Sequence, residues 1–186
     1  MGMSAPQPAL RIALADSAHA SLTDLLCELN AHYGDPGAPP VARDAVQAHL
    51  QDHLLGSGSP LRLVVASDAT GKALGFAAIV LMHSLVDPRP EHRRQCMVKE
   101  LFVGASDRGQ GTGQALMVWV ARYAASEGCG RIDWNVKESN HGGIAFYESL
   151  GAVRVADRLS YRLTREAMDR LAAATHPLPT SPRPGS

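Results

Sequence analysis

The chain has 186 residues, 45% of them apolar and 19% charged, which is enough for one domain with a real hydrophobic core. Its 18 basic and 18 acidic residues cancel, with eight histidines in reserve below neutral pH. That balance offers no field to attract nucleic acid or anionic lipid, so function is expected in a local pocket and not on a charged face. Three scattered cysteines, Cys27, Cys96 and Cys129, imply reduced thiols in a cytoplasmic protein instead of a disulfide scaffold or metal cluster.

The first residues, 1–9, read MGMSAPQPA and lack the charged start and apolar middle of a signal peptide. Pro6 stands where a myristoylation signal wants Ser or Thr. They are expected to form a flexible arm. Residues 10–14 alternate as a short strand, and residues 16–34 predict a helix capped by Asp16 or Ser17, with Leu22, Leu25, Leu26 and Leu29 in one stripe. A second amphipathic helix is expected over about 41–55. Residues 61–67 and 74–84 flank the turn DATGK and predict a hairpin. A polar loop (85–95) and a strand (96–103) follow.

Next comes RGQGTGQAL at 108–116, with glycine at every second position and a helix expected behind it to about Glu127, closed by Gly128. A strand at 131–136, a helix at 141–150 and two further strands at 152–156 and 159–163 complete the sheet. A last helix covers 164–174. The tail, 175–186, has four prolines and is expected to be disordered. No apolar run approaches 18 residues, so no membrane span is expected. Hairpin pairing mixed with a strand–helix–strand crossover predicts a single α/β domain over 10–174, a central mixed sheet flanked by helices.

A glycine turn entering a helix is a phosphate-binding device, because its backbone N–H groups and the helix dipole converge on the oxygens. Gly113 is followed by Gln114 and Ala115, where a nucleotide triphosphatase loop needs Lys-Ser/Thr. A dinucleotide fingerprint is a poor fit, since these glycines lie past the middle of the chain.

The line MVKELFVGASDRGQGTGQALMVWVARYAASEGC at 97–129 resembles the core motif of the GNAT superfamily of acyl-CoA-dependent N-acyltransferases. Its marks are Leu101 and Val103, then Arg108, Gly111 and Gly113. The second family motif is similar to RIDWNVKESNHGGIAFYESLGA at 131–152, with Asn140, Phe146, Tyr147 and the closing Leu-Gly-Ala. Motif details look most like polyamine and amino-acid acetyltransferases.

The resemblance implies acetyl-CoA as cosubstrate. Its pyrophosphate would rest on Arg108, Gly109, Gln110, Gly111, Thr112 and Gly113, and its pantetheine arm along Leu101, Phe102 and Val103, with Asn140 nearby. Asn140 reads equally well as a helix cap. Tyr147 is implied as general acid to the departing sulfur. The family's acidic residue would fall at Lys99, and Glu100 comes one step later. A one-residue offset turns a side chain to the opposite face of a strand unless a bulge re-aims it, so Glu100 is the candidate base on that condition.

Acceptor specificity is expected from the early helices, the 85–95 loop and the final hairpin, which offer Glu28, His32, Tyr33, Asp35, Asp87, Glu91 and Asp157. A small cationic or amino-acid-like amine is the implied acceptor, with no nucleic acid or membrane partner, and the late apolar hairpin suggests a homodimer. The alternatives are a protein N-terminal or lysine acetyltransferase and a non-catalytic acyl-CoA-binding domain. His49 and His53, four apart on a helix, lack the glutamate of a zinc-protease motif, so no metal is expected.

Overall fold

A computed structural model describes residues 10–16, 21–35 and 37–174. The expectations for residues 1–9 and 175–186, and the cap at Ser17, lie outside them. By its internal contacts the chain divides into two compact units, one up to Phe146 and one from Tyr147 onward.

The first unit holds a five-stranded sheet in the order β1-β2-β3-β4-β5. These strands are β1 (Arg11–Leu14), β2 (Leu61–Ser67), β3 (Ala73–His83), β4 (Arg94–Val103) and β5 (Cys129–Trp134). The first four pair antiparallel in chain order, and β5 joins β4 in parallel after the crossover helix α3 (Thr112–Ser126). Before the hairpin come α1 (Leu22–Tyr33) and α2 (Arg43–His49), the latter continuing as a π-helical turn over Leu50–Leu54. The β2–β3 turn is fixed by Asp68, whose Oδ1 accepts from the N–H groups of Thr70 (2.8 Å) and Lys72 (3.0 Å). Ser21, just ahead of α1, does not cap it. Its hydroxyl accepts instead from Ala73 N at 2.9 Å and ties the helix to β3.

Strand alternation sorts the core into two faces. Leu22 and Leu25 of α1 and Leu50 pack with Leu63, Val65, Phe76, Ala78 and Phe102 on one side of the sheet. Val64, Ala77, Ile79, Cys96 and Val98 are buried on the other side, where Leu116 and Val120 of α3 are buried as well. Each fully buried Leu, Val or Phe contributes about 1.5–3 kcal/mol. The helix α4 (His141–Ser149) opens in the first unit and ends in the second.

The second unit also contains α5 (Arg165–Ala173), capped by the Thr164 hydroxyl, which accepts from Ala167 N at 3.3 Å. The strands expected at 152–156 and 159–163 do not form: residues 152–164 hold no strand, only a turn at 156–157. Alternation alone cannot make a strand. Two short segments with no third strand beside them gain too little burial to hold a ladder. Val153, Leu159 and Tyr161 accordingly stay 86%, 79% and 87% exposed.

Candidate functional site

The glycine loop is shaped by backbone sign. Gly109 and Gly111 hold φ of 74° and 83°, and Gly111 forms the left-handed residue directly before α3. A Cβ at either would meet no protein atom within 4 Å, so both face open space. Their glycine identity is set by the positive φ, which costs other residues roughly 1–2 kcal/mol. Gly113 differs: it is helical, and a Cβ there would lie 3.5 Å from Phe146 Cζ and 3.7 Å from Val103 Cγ2. It seats the start of α3 against β4 and α4. Thr112 is buried beside it.

Two side chains fold the loop onto the strand. Arg108 Nε donates to Val103 O at 3.0 Å, and its guanidinium lies 5.6 Å from the Phe102 ring centroid. Gln110 Nε2 donates to Ser106 O at 3.3 Å. Arg108 therefore fixes the loop as well as adding positive charge beside it.

Strand β4 outruns its neighbour. Its last pair with β5 is Val98↔Trp134, and residues 99–103 continue with β3 on one side and no strand on the other among the described residues. Backbone polar groups on that side are left to bind something other than sheet.

β4 also carries a bulge. Ala78 pairs with Glu100 and Ile79 with Val98, so Lys99 is the inserted residue. Beyond the bulge the facing reverses. Glu100 and Phe102 lie on the α1 side, opposite Ala78 and Phe76, whereas Leu101 and Val103 share the face of Val98. The bulge thus turns Glu100 away from the face of Val98, while Glu100 and Leu101 stay on opposite faces of β4.

On the α1 side Glu100 has defined company. The Tyr33 hydroxyl donates to Glu100 Oε1 at 3.3 Å, and His32 stacks edge-on to Tyr33 at 5.0 Å. Burial pushes the Glu100 carboxyl above its ordinary range, partly opposed by hydrogen bonds from Tyr33 and the Leu101 N–H and by the nearby His32. Burial, then the Glu100 charge and the hydrogen bond to it, raise Tyr33 in turn. A half-buried carboxyl that holds its proton more tightly than usual is suited to taking one from an amine.

At the start of α4, Asn140 is a helix cap: its Oδ1 accepts from Gly143 N at 2.9 Å. A Cβ at Gly143 would lie 2.6 Å from Asn140 Nδ2, which explains glycine where the family motif often has alanine. Tyr147 follows Phe146 on α4, is half-buried, and belongs to the second compact unit.

Other candidates are taken up elsewhere. Glu28 Oε1 accepts from Ala105 N at 2.7 Å and braces α1 against the loop after β4. Asp87 is held by Arg89, whose Nε donates to it at 2.9 Å, and its carboxyl is lowered to about 2 by that hydrogen bond. Asp35 Oδ1 accepts from Gly37 N at 3.0 Å. Burial pushes the Cys96 thiol up to about 12, so it carries no thiolate at neutral pH. His49 and His53 stack at 5.3 Å, and no group of three His, Cys, Asp or Glu could hold a metal among the described residues. Of the acceptor-side candidates, His32 and Tyr33 reach Glu100. Lys137, which sequence reasoning passed over, joins them with its Nζ 5.2 Å from the Tyr33 ring centroid. Its only signal in the sequence was scarcity, as one of three lysines.

Comparison with known proteins agrees with this geometry. The acetyltransferase (GNAT) family matches over residues 24–152, more than half of the chain. L-ornithine N5-acetyltransferase NATA1 of Arabidopsis thaliana is 32% identical over 74 residues, which are 40% of this chain and 32% of that protein. The match thus spans about a third of the length of that relative. Among solved structures, an integron cassette protein from the mobile metagenome of V.cholerae superposes with a TM-score of 0.77 at 28% identity, over 93% of this chain and 100% of that one. An aminoglycoside N-acetyltransferase in complex with CoA shares the fold at a TM-score of 0.66 and 21% identity, over 88% and 99%. A strand that outruns its parallel neighbour beside a left-handed glycine loop, within a matched segment of this extent, places the chain in the GNAT family of acetyltransferases, which use acetyl-CoA as the acetyl donor.

Proposed function

We propose that this chain transfers the acetyl group of acetyl-CoA to a primary amine of a small cationic or amino-acid-like acceptor. The observation that carries this is the unpaired flank of β4 at residues 99–103, set directly before the loop at Gly109 and Gly111. In this reading backbone N–H groups of residues 108–113 receive the pyrophosphate, and Leu101, Phe102 and Val103 present backbone partners to the pantetheine amides. Asn140 serves that site by capping α4.

The amine must lose a proton before it can attack. Glu100 takes it, directly or through a water, and the neutral nitrogen forms a bond to the thioester carbon. A backbone N–H near Leu101 or Val103 polarises the carbonyl oxygen. The carbon–sulfur bond then breaks, the Tyr147 hydroxyl protonates the leaving thiolate of CoA, and the second proton of the attacking nitrogen, relayed through water, restores the tyrosine. The products are the N-acetyl amine and free CoA thiol.

The ornithine acetyltransferase named among the relatives supports the choice of a small amine. The three free cysteines fit a cytoplasmic setting, and no helix among the described residues is long and apolar enough to cross a membrane. The exposed apolar segment at 152–163 supports a homodimer in which it docks on a second copy. Acetyl-CoA turnover against a panel of amines, read as free thiol with DTNB, tests the activity. Amine-dependent thiol release supports it; release only with peptide substrates, or with none, overturns it.

A further inference from the structure

Tyr33 has an arrangement that the proposed chemistry does not use. It is 54% exposed, yet three partners hold it: His32 on the same helix, Glu100 on β4, and Lys137 in the loop after β5. The Lys137 ammonium lies 5.2 Å from the ring centroid, inside the roughly 6 Å range of a cation–π contact. The loop that delivers it is closed by Asn140 N donating to Lys137 O at 2.9 Å. Of the other lysines, Lys72 pairs with Asp107 at 3.8 Å and Lys99 is the exposed bulge residue. A primary alkylammonium thus sits on an aromatic ring whose hydroxyl is bonded to the carboxylate proposed as base.

We infer that Tyr33 is the acceptor-recognition residue and that Lys137 is a placeholder, its ammonium occupying the position that a cation of the acceptor takes. This rests on the acetyl transfer to an amine proposed above and narrows its acceptor class. The acceptor carries two amino groups a few carbons apart, as in a diamine or dibasic amino acid. One stays charged on the Tyr33 ring, and the other is deprotonated near Glu100 and acetylated. A monoamine of the same length reacts without the ring contact.

Steady-state kinetics with 1,4-diaminobutane, L-ornithine and butylamine test this in three variants. Tyr33→Leu removes the ring and should raise KM for both diamino acceptors about 3- to 30-fold, the span of cation–π contacts from exposed to desolvated, with KM for acetyl-CoA and for butylamine unchanged. Tyr33→Phe keeps the ring and should keep the diamine KM. Lys137→Met removes the placeholder and should lower it. Diamine KM values unchanged in folded Tyr33→Leu, or raised equally for butylamine, overturn the inference while amine acetylation stands. If no amine supports turnover, the acetylation reading fails by itself, and calorimetry of the CoA-loaded protein with 1,4-diaminobutane decides the recognition site. Tighter binding to Lys137→Met and weaker binding to Tyr33→Leu than to wild type support it; equal binding or none overturns it.

Discussion

The Tyr33 hydroxyl donates to Glu100 Oε1 across 3.3 Å, joining the end of α1 to β4 just past its bulge. The contact exists only because Lys99 is inserted between two strand pairs. In a strand with no bulge, regular alternation from Val98 through Lys99 would put Glu100 on the face of Val98, under α3.

Glu100→Gln keeps an acceptor oxygen for Tyr33 and removes the ionisable group. If Glu100 is the base for the amine, kcat/KM should fall about 10²–10⁴-fold at neutral pH. The deficit should narrow as pH approaches the acceptor's own pKa, about 10 for an alkylamine. A pH–rate profile superimposable on wild type would remove Glu100 from the reaction.

The same variant has a stability signature of known sign. Burial holds the folded carboxyl above the ordinary 4.5, so the folded state favours the proton. Stability tied to this group is fully present below pH 4.5 and is lost as pH rises through the raised folded value. Glu100→Gln, neutral throughout, should therefore melt above wild type at pH 7, and the gap should close in acid. Thermal unfolding at the two pH values checks this, and a lower melting point at pH 7 would contradict it.

Gly111→Val probes the loop, with Gly71→Val as its control. Both glycines have φ above 80° and open space around a built Cβ, but Gly71 lies in the β2–β3 turn. A β-branched residue strains either backbone. Only at Gly111 should it also obstruct a bound pyrophosphate, raising the CoA dissociation constant at least tenfold, roughly 1.4 kcal/mol. Calorimetry giving equal CoA affinity in the two folded variants would mean that the loop does not hold the phosphate.

Much of this site could be read in the sequence, and the bulge shows where reading stopped. On the α3 side of β4 the buried positions fall at Cys96 and Val98, and the same face resumes at Leu101 and Val103. That step of three inside a period of two is what an inserted residue looks like. Sequence alone left the facing of Glu100 conditional, because whether a strand bulges or twists is settled by its neighbours. The glycine loop was legible because positive φ has one cheap solution. The pairing of 152–163 was not, since alternation states a preference and a strand also needs a partner. Lys137 was passed over because cation–π contacts depend on which loop folds over which ring.

Tyr147→Phe removes one oxygen and keeps the ring and most of its packing. If its hydroxyl protonates the departing thiolate, kcat should fall about 10²–10⁴-fold with little change in acetyl-CoA affinity. The pairing of these readouts matters, because a packing role would alter stability and binding before turnover. A kcat near wild type, measured where the chemical step limits the rate, would return Tyr147 to a structural role.

The last expectation concerns assembly. Val153, Leu159, Tyr161 and Leu163 are each more than half exposed within a few residues of one another in sequence, an arrangement that singly scattered surface residues do not produce. Light scattering at micromolar concentration should give about twice the 19.8 kDa of one copy. Tyr161→Asp combined with Leu159→Asp should shift the mass toward one copy, because two carboxylates in such an interface would be buried without partners. A wild-type mass of one copy, independent of concentration, would show that this segment finds its cover elsewhere.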